Sequence, residues 1–134
     1  MDANKSTNNT NIAQLVYPEL SYTLTGILFE IHNKLGTKYQ EKHYQRAIEI
    51  KLQETSIPFK REVYIPVQFE HMPLGRFFAD FIIDDKIILE VKKVWRIGAS
   101  DVKQVLRYLE ATQLKLAIIV NFQHMRLESK RVLL

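Results

Sequence analysis

The sequence of 134 residues contains no cysteine, which excludes disulfides, thiolate metal sites and cysteine nucleophiles together. Any metal it binds must sit on oxygen or histidine. No apolar run approaches the roughly eighteen residues that span a bilayer, and the polar N-terminus lacks the charged head and apolar middle of a signal peptide. A cytoplasmic protein without a membrane partner is expected. Internal repeats are absent, and the length leaves room for one core but hardly for two. A strong excess of one charge is missing as well, with 19 Lys and Arg against 15 Asp and Glu, a net charge of +4 and a pI near 9.3. That balance is compatible with a polyanionic partner but does not identify one.

What is present is an ordinary globular composition, 46% hydrophobic and 25% charged, preceded by a polar stretch without periodicity. Residues 1–12 (MDANKSTNNTNI) read as a disordered leader, and residues 13–134 as a single domain. From about Ser21 to Leu35 the residues Leu24, Ile27, Leu28, Ile31 and Leu35 recur at helical spacing, with Ser21 as N-cap and Gly36 as the stop. His32 on this helix is read as a capping or packing residue. A second helix is expected from about Gln40 to Thr55, with Tyr44, Ala47, Ile48 and Leu52 as its stripe and Ser56-Ile57-Pro58 as its end. Glu41 lies on or beside that stripe. It is either a first-turn glutamate favoured by the helix dipole or a further active-site carboxylate.

Lys60 to Phe69 alternates as a strand, with Pro66 pointing to an edge position or a bulge, and residues 71–75 form a turn. Phe77–Ile83 and Ile87–Val91 then flank Asp84-Asp85-Lys86 as a β-hairpin. A three-residue loop sets Asp80 directly opposite Glu90, whereas a two-residue loop sets Ala79 there. Ile88, Glu90 and Lys92 share one face of the second strand, and Ile87, Leu89 and Val91 share the other. Both faces are mostly apolar, so the strand is central and its charged residues need partners or a cation. Beyond Gly98-Ala99, Ser100 is the expected N-cap of a third helix running to about Thr112, on which Gln104, Tyr108 and Ala111 form a line beside the core stripe. Leu114 to Phe122 reads as a buried strand returning parallel beside the Glu90 strand, and the tail from Gln123 as an added edge strand.

Two carboxylates on adjacent strands, with a lysine two residues further along one face, describe a site for a hard divalent cation. Magnesium takes carboxylate oxygen and keeps waters, the metal lowers the pKa of water and polarises phosphorus, and Lys92 would serve the nucleophile or the charge of the transition state. A lone Glu-x-Lys triplet is commonplace. The full order, with Asp80 before it, Glu41 on a preceding helix and Gln104 and Tyr108 on the following one, resembles the PD-(D/E)XK nuclease superfamily. Asp80, Glu90 and Lys92 match its signature, with Ala79 where a proline is often found. Glu41 and Gln104-x-x-x-Tyr108 match its exonuclease-like branch.

Phe29-Glu30-Ile31-His32, Leu35-Gly36, Glu41-x-x-Tyr44, Ile57-Pro58-Phe59, Leu89-Glu90-Val91-Lys92 and Asn121-Phe122 are similar, in order, to recurring segments of the GxxExxY family within that superfamily. Lys38 stands where that motif has its glycine, so residue 38 must avoid positive φ.

The resemblance implies a restriction-endonuclease-like three-layer α/β fold, a mixed sheet flanked by helices in the order α-α-β-β-β-α-β. It also implies a metal-dependent nuclease that hydrolyses phosphodiester bonds of DNA, with Mg²⁺ or Mn²⁺ held by Glu41, Asp80 and Glu90. Asp80, Glu90, Lys92, Gln104 and Tyr108 would form the catalytic set. Lys93, Arg96, Lys103 and Arg107 are candidates for salt-sensitive contacts to the nucleic-acid backbone. A chain this short has little material for sequence-reading loops, so weakly specific or structure-specific cleavage by a homodimer is expected. The alternative is a catalytically silent nucleic-acid-binding or assembly module that keeps the fold.

Overall fold

A computed structural model describes residues 16–134; the expected leader over 1–12 lies outside them. Helices α1 (Pro18–Leu35) and α2 (Glu41–Gln53) come first. Strand β1 (Phe59–Ile65), a small hairpin of β2 (Gln68–Phe69) and β3 (Met72–Pro73), and strands β4 (Phe77–Ile83) and β5 (Ile87–Lys92) follow. Helix α3 (Ala99–Thr112) then leads to β6 (Leu116–Asn121) and β7 (Glu128–Leu133). The main sheet has the order β1-β4-β5-β6-β7, with β5 and β6 parallel and the other pairs antiparallel. This is the expected restriction-endonuclease-like α/β architecture, with β5 central, β1 at one edge and the tail strand at the other. Among the described residues, no helix is long and apolar enough to cross a membrane.

Each face of the sheet has its own core. Phe81, Ile83, Ile87, Leu89, Val91, Leu116, Ile118, Val120 and Phe122 pack with the buried stripes of α1 and α2. Ala79, Ile82, Ile88, Ala117 and Ile119 pack with Val105, Tyr108 and Leu109 of α3. Helices therefore cover both faces, and β5 and β6 read as continuous apolar runs for that reason. Phe122, just past β6, stacks on Tyr44 of α2 with ring centroids 4.3 Å apart. The Tyr44 hydroxyl reaches past it to the Gly36 carbonyl at 2.6 Å.

Several local expectations give way to the structure. Ser21 is not the N-cap of α1: Pro18, whose missing N–H costs nothing in a first turn, starts the helix from Tyr17. Ser21 instead lies buried, and its hydroxyl has no hydrogen-bond partner among the described residues. Ser100 is not the cap of α3 either. That helix starts after Gly98, whose N–H is accepted by Asp101 Oδ2 at 2.9 Å. The strand expected to run to Phe69 ends at Ile65. Gln68 and Phe69 pair instead with Met72 and Pro73 across Glu70 and His71, both at positive φ as a type I′ turn requires. In the loop between the first helices the left-handed residue is Gly36, at φ 68°, and Lys38 is not among the positive-φ residues.

Phe122→Ala removes a fully buried ring from between α2 and the sheet. The variant should lose about 3–5 kcal/mol of stability in urea unfolding, with far-UV circular dichroism retained at low denaturant.

Candidate active site

The β4–β5 ladder follows Ile83↔Ile87, Ile82↔Ile88 and Phe81↔Leu89, so the loop is the three-residue one. The same register sets Asp80 opposite Glu90. Asp84 and Asp85 take φ 53° and 52° in that loop, which aspartate tolerates better than most residues.

At Asp80 the sheet changes face. Phe77 and Ala79 belong to the α3 side, while Phe81 and Ile83 belong to the α1–α2 side; strict alternation would keep all four together. The partner strand switches at the same level. Its pairs run Arg61↔Phe81 and then Val63↔Ala79, skipping Glu62 at φ 50°. Side chains replace backbone in the gap. Glu90 Oε1 accepts the Asp80 N–H at 3.1 Å, and Asp80 Oδ2 accepts the Val91 N–H at 2.8 Å.

Glu90 is buried, only 3% exposed, and Asp80 is half-buried. Burial, and then the neighbouring Asp80 charge, pushes the Glu90 carboxyl up to about 8 from its ordinary 4.5. Asp80 is raised by burial as well, against the opposing pull of the Val91 N–H, a hydrogen bond with Glu90, and the Lys92 and Arg61 charges. Two carboxyls in one desolvated place cannot both ionise freely, and here each is also held by a backbone N–H beside the other.

Lys92 reaches α3. Its Nζ donates to Gln104 Oε1 at 3.0 Å, and Gln104 Nε2 donates to the Tyr108 hydroxyl at 3.1 Å. Asp101 Oδ1 lies 3.7 Å from the same ammonium. Tyr108 is held neutral above its ordinary range by burial first and the Glu90 charge second. Glu41, the first residue of α2, accepts a long 3.4 Å bond from Gln45. Its pKa is raised by burial and then by the Asp80 charge, with Lys92 opposing, so it lies within the field of the pair.

The structure thus brings Asp80, Glu90, Lys92, Gln104 and Tyr108 together at one end of the sheet. Glu41 stands further out: among the described residues, no three of His, Asp and Glu are grouped at metal-ligand spacing. The donor chemistry still fits a hard divalent cation. The donors are carboxylate oxygens set side by side, Glu90 buried and Asp80 half-buried, and carboxylates in such a place call for a compensating positive charge.

Two residues take roles at the site that the sequence reading did not give them. Asp101 was legible only as a first-turn acid, although positions 101, 104 and 108 fall on one line of a helix. Asn121 sits beside Lys92 in the parallel register; its Oδ1 accepts the Val94 N–H at 3.1 Å and its Nδ2 donates to the Val94 carbonyl at 2.8 Å. A polar residue closing an apolar strand run was the available signal. Lys93, a candidate for backbone phosphates, instead donates to the Thr37 carbonyl at 2.6 Å and ties the α1–α2 loop to the end of β5.

A five-stranded mixed sheet with helices on both faces, carrying Asp on one strand of a hairpin and Glu-x-Lys on the other, defines a restriction-endonuclease-like core. The family model of the PD-(D/E)XK nuclease superfamily matches residues 18–132, and the chain belongs to that superfamily, whose members are usually nucleases with divalent metals. No curated protein and no solved structure matches the chain.

The raised carboxyl has a stability signature. Native Glu90 keeps its proton to about pH 8, while the unfolded chain releases it near 4.5; the native state therefore binds more protons between those values, and stability falls as pH rises through them. In EDTA the protein should lose stability from pH 5 to pH 8. Glu90→Gln, which keeps an acceptor for the Asp80 N–H and supplies a donor to Asp80, should flatten most of that slope and melt higher than the parent at pH 8.

Proposed function

We propose that this chain is a metal-dependent nuclease that hydrolyses phosphodiester bonds of DNA. The observation that carries the reading is the crosswise Asp80–Glu90 pair with Lys92 on the same strand, its ammonium held by Gln104. Asp80 and Glu90 would hold Mg²⁺ or Mn²⁺, with Glu41 as the outer carboxylate. When bound, the cation supplies Lewis-acid polarisation of phosphorus and a lowered pKa for water.

The chain's own residues do the rest. Lys92 places a fixed positive charge where negative charge develops on the phosphate oxygens, and a fixed charge in a partly desolvated place requires little reorganisation. Gln104 orients the ammonium, and Tyr108 orients Gln104, so the lysine is positioned rather than free to follow the nearest acid. Asp101 balances its charge before substrate arrives. Exposed Lys103 and Arg107 on α3 and Arg96 before it supply contacts to the backbone, with the salt dependence such contacts bring.

Within the superfamily, the Glu41-x-x-Tyr44 spacing supports a place among GxxExxY proteins. Tyr44 has a structural reason for that spacing, since it bonds Gly36 and stacks on Phe122, while Glu41 lies within reach of the Asp80 and Lys92 charges. Lys38 in the motif's glycine position is compatible, because Gly36 is the residue that takes positive φ.

Incubation with labelled single-stranded, duplex and branched DNA should give cleavage in Mg²⁺ or Mn²⁺ and none in EDTA. Asp80→Ala should abolish it. Lys92→Ala should lower the rate on the order of 10²–10³-fold, both variants keeping the parent's circular dichroism. If no nucleic acid is cut in either metal, or if Lys92→Ala cuts as fast as the parent, the reading fails.

A further inference from the structure

Three residues beyond Lys92, the chain places its only tryptophan in solvent: Trp95 is 80% exposed. A single exposed aromatic needs no explanation by itself; what sets Trp95 apart is how its backbone is held. This segment is fixed from both sides. Asn121 grips Val94 through both its N–H and its carbonyl. The His124 ring nitrogen meets the Trp95 carbonyl, and the His124 carbonyl meets His32 Nε2 of α1 at 2.7 Å. The His124 ring also stands nearly edge-on to the indole, 4.9 Å between centroids at 73°. Buried His32 thereby has a task, reaching from α1 to hold the loop that positions Trp95.

The surroundings are basic. Arg96 follows directly and is exposed, and Arg126 lines the same open depression as His124. The acids nearby are engaged: Glu128 accepts from Asn121 Nδ2 at 2.9 Å, and Asp101 accepts from Gly98 and lies beside Lys92. An indole on a fixed stretch of backbone, among exposed cations and within about 10 Å of chain from Lys92, suits a nucleobase on a polyanionic strand better than an apolar protein surface.

We propose that Trp95 is a stacking platform for an unpaired nucleobase of the substrate, next to the phosphate that Lys92 faces. The inference rests on the nuclease reading and narrows it: bases inside a duplex are already stacked, so the platform selects nucleic acid with a single-stranded segment at the cleavage point. Every base offers a π face, so recognition by stacking is tolerant of sequence.

Because Trp95 is the only tryptophan, its own emission reports the contact. In EDTA and low salt, which keep the strand intact, titration with an oligothymidylate should quench the emission saturably, and a blunt DNA hairpin of equal charge should quench it far less. By anisotropy of a labelled strand, Trp95→Ala should bind oligothymidylate about tenfold more weakly and the hairpin equally well, while Trp95→Phe keeps most of the affinity. Binding without quenching, or equal affinity in Trp95→Ala, overturns the platform and leaves the nuclease reading standing. Saturable quenching in a protein that never cleaves in Mg²⁺ supports the platform and removes the nuclease reading. Absence of binding to either nucleic acid overturns the platform, and cleavage in Mg²⁺ or Mn²⁺ then decides the nuclease reading separately.

Discussion

Where β4 and β5 part, two carboxylates take over the backbone's hydrogen bonding: Glu90 accepts the Asp80 N–H and Asp80 accepts the Val91 N–H. This exchange satisfies groups that a broken ladder would leave unpaired, which is costly in a buried sheet. It also fixes both acids at one point, so structural and chemical roles share the same atoms. The switch of face at Asp80 and the left-handed Glu62 across from it are the local backbone expense of that arrangement. Backbone strain of this kind persists where the surrounding structure over-determines it, and here cores on both faces of the sheet do so.

The electrostatics follow from the geometry. Burial raises both carboxyls, and the Asp80 charge raises Glu90 further; the Lys92 charge opposes both shifts without cancelling them, while its ammonium is held by Gln104 and Asp101 on the α3 side. A site with excess negative charge on hard oxygen donors favours a small divalent cation over a proton once one is available. The Lys92 ammonium stays on the α3 side, held by Gln104. The division of labour we propose, acids for a cation and lysine for a phosphate, depends on α3 presenting Gln104 and Tyr108 one turn apart along the face that covers β5.

Much of this was legible in the sequence because its signals are local. Helical periodicity, the Asp84-Asp85-Lys86 loop and the apolar runs of β5 and β6 each depend on a few neighbouring residues, and the order Asp80, Glu90, Lys92, Gln104, Tyr108 survives folding intact. What was hidden depends on tertiary choice. Pro18 starts α1 ahead of Ser21, and Gly98, its N–H held by Asp101, starts α3 ahead of Ser100, although both serines suit a cap. The β2–β3 turn uses Glu70 and His71 at positive φ, without the Asn-Gly signal that announces such turns. Face alternation on β4 breaks at Asp80, which no periodicity predicts. Glu41 marked its place by motif spacing, yet only the fold shows that it stands outside the pair. The exposure of Trp95 could not be read from a stretch whose neighbours, Val94 and Ile97, are half-buried.

The central claim is that Asp80 and Glu90 are a cation site and not a proton-sharing structural pair. A crystal of the protein grown or soaked with Mn²⁺, with diffraction recorded at the manganese absorption edge, tests it directly. The account predicts an anomalous peak coordinated by carboxylate oxygens of both Asp80 and Glu90. A well-ordered map with no peak at the pair, or manganese bound only elsewhere on the chain, would contradict it.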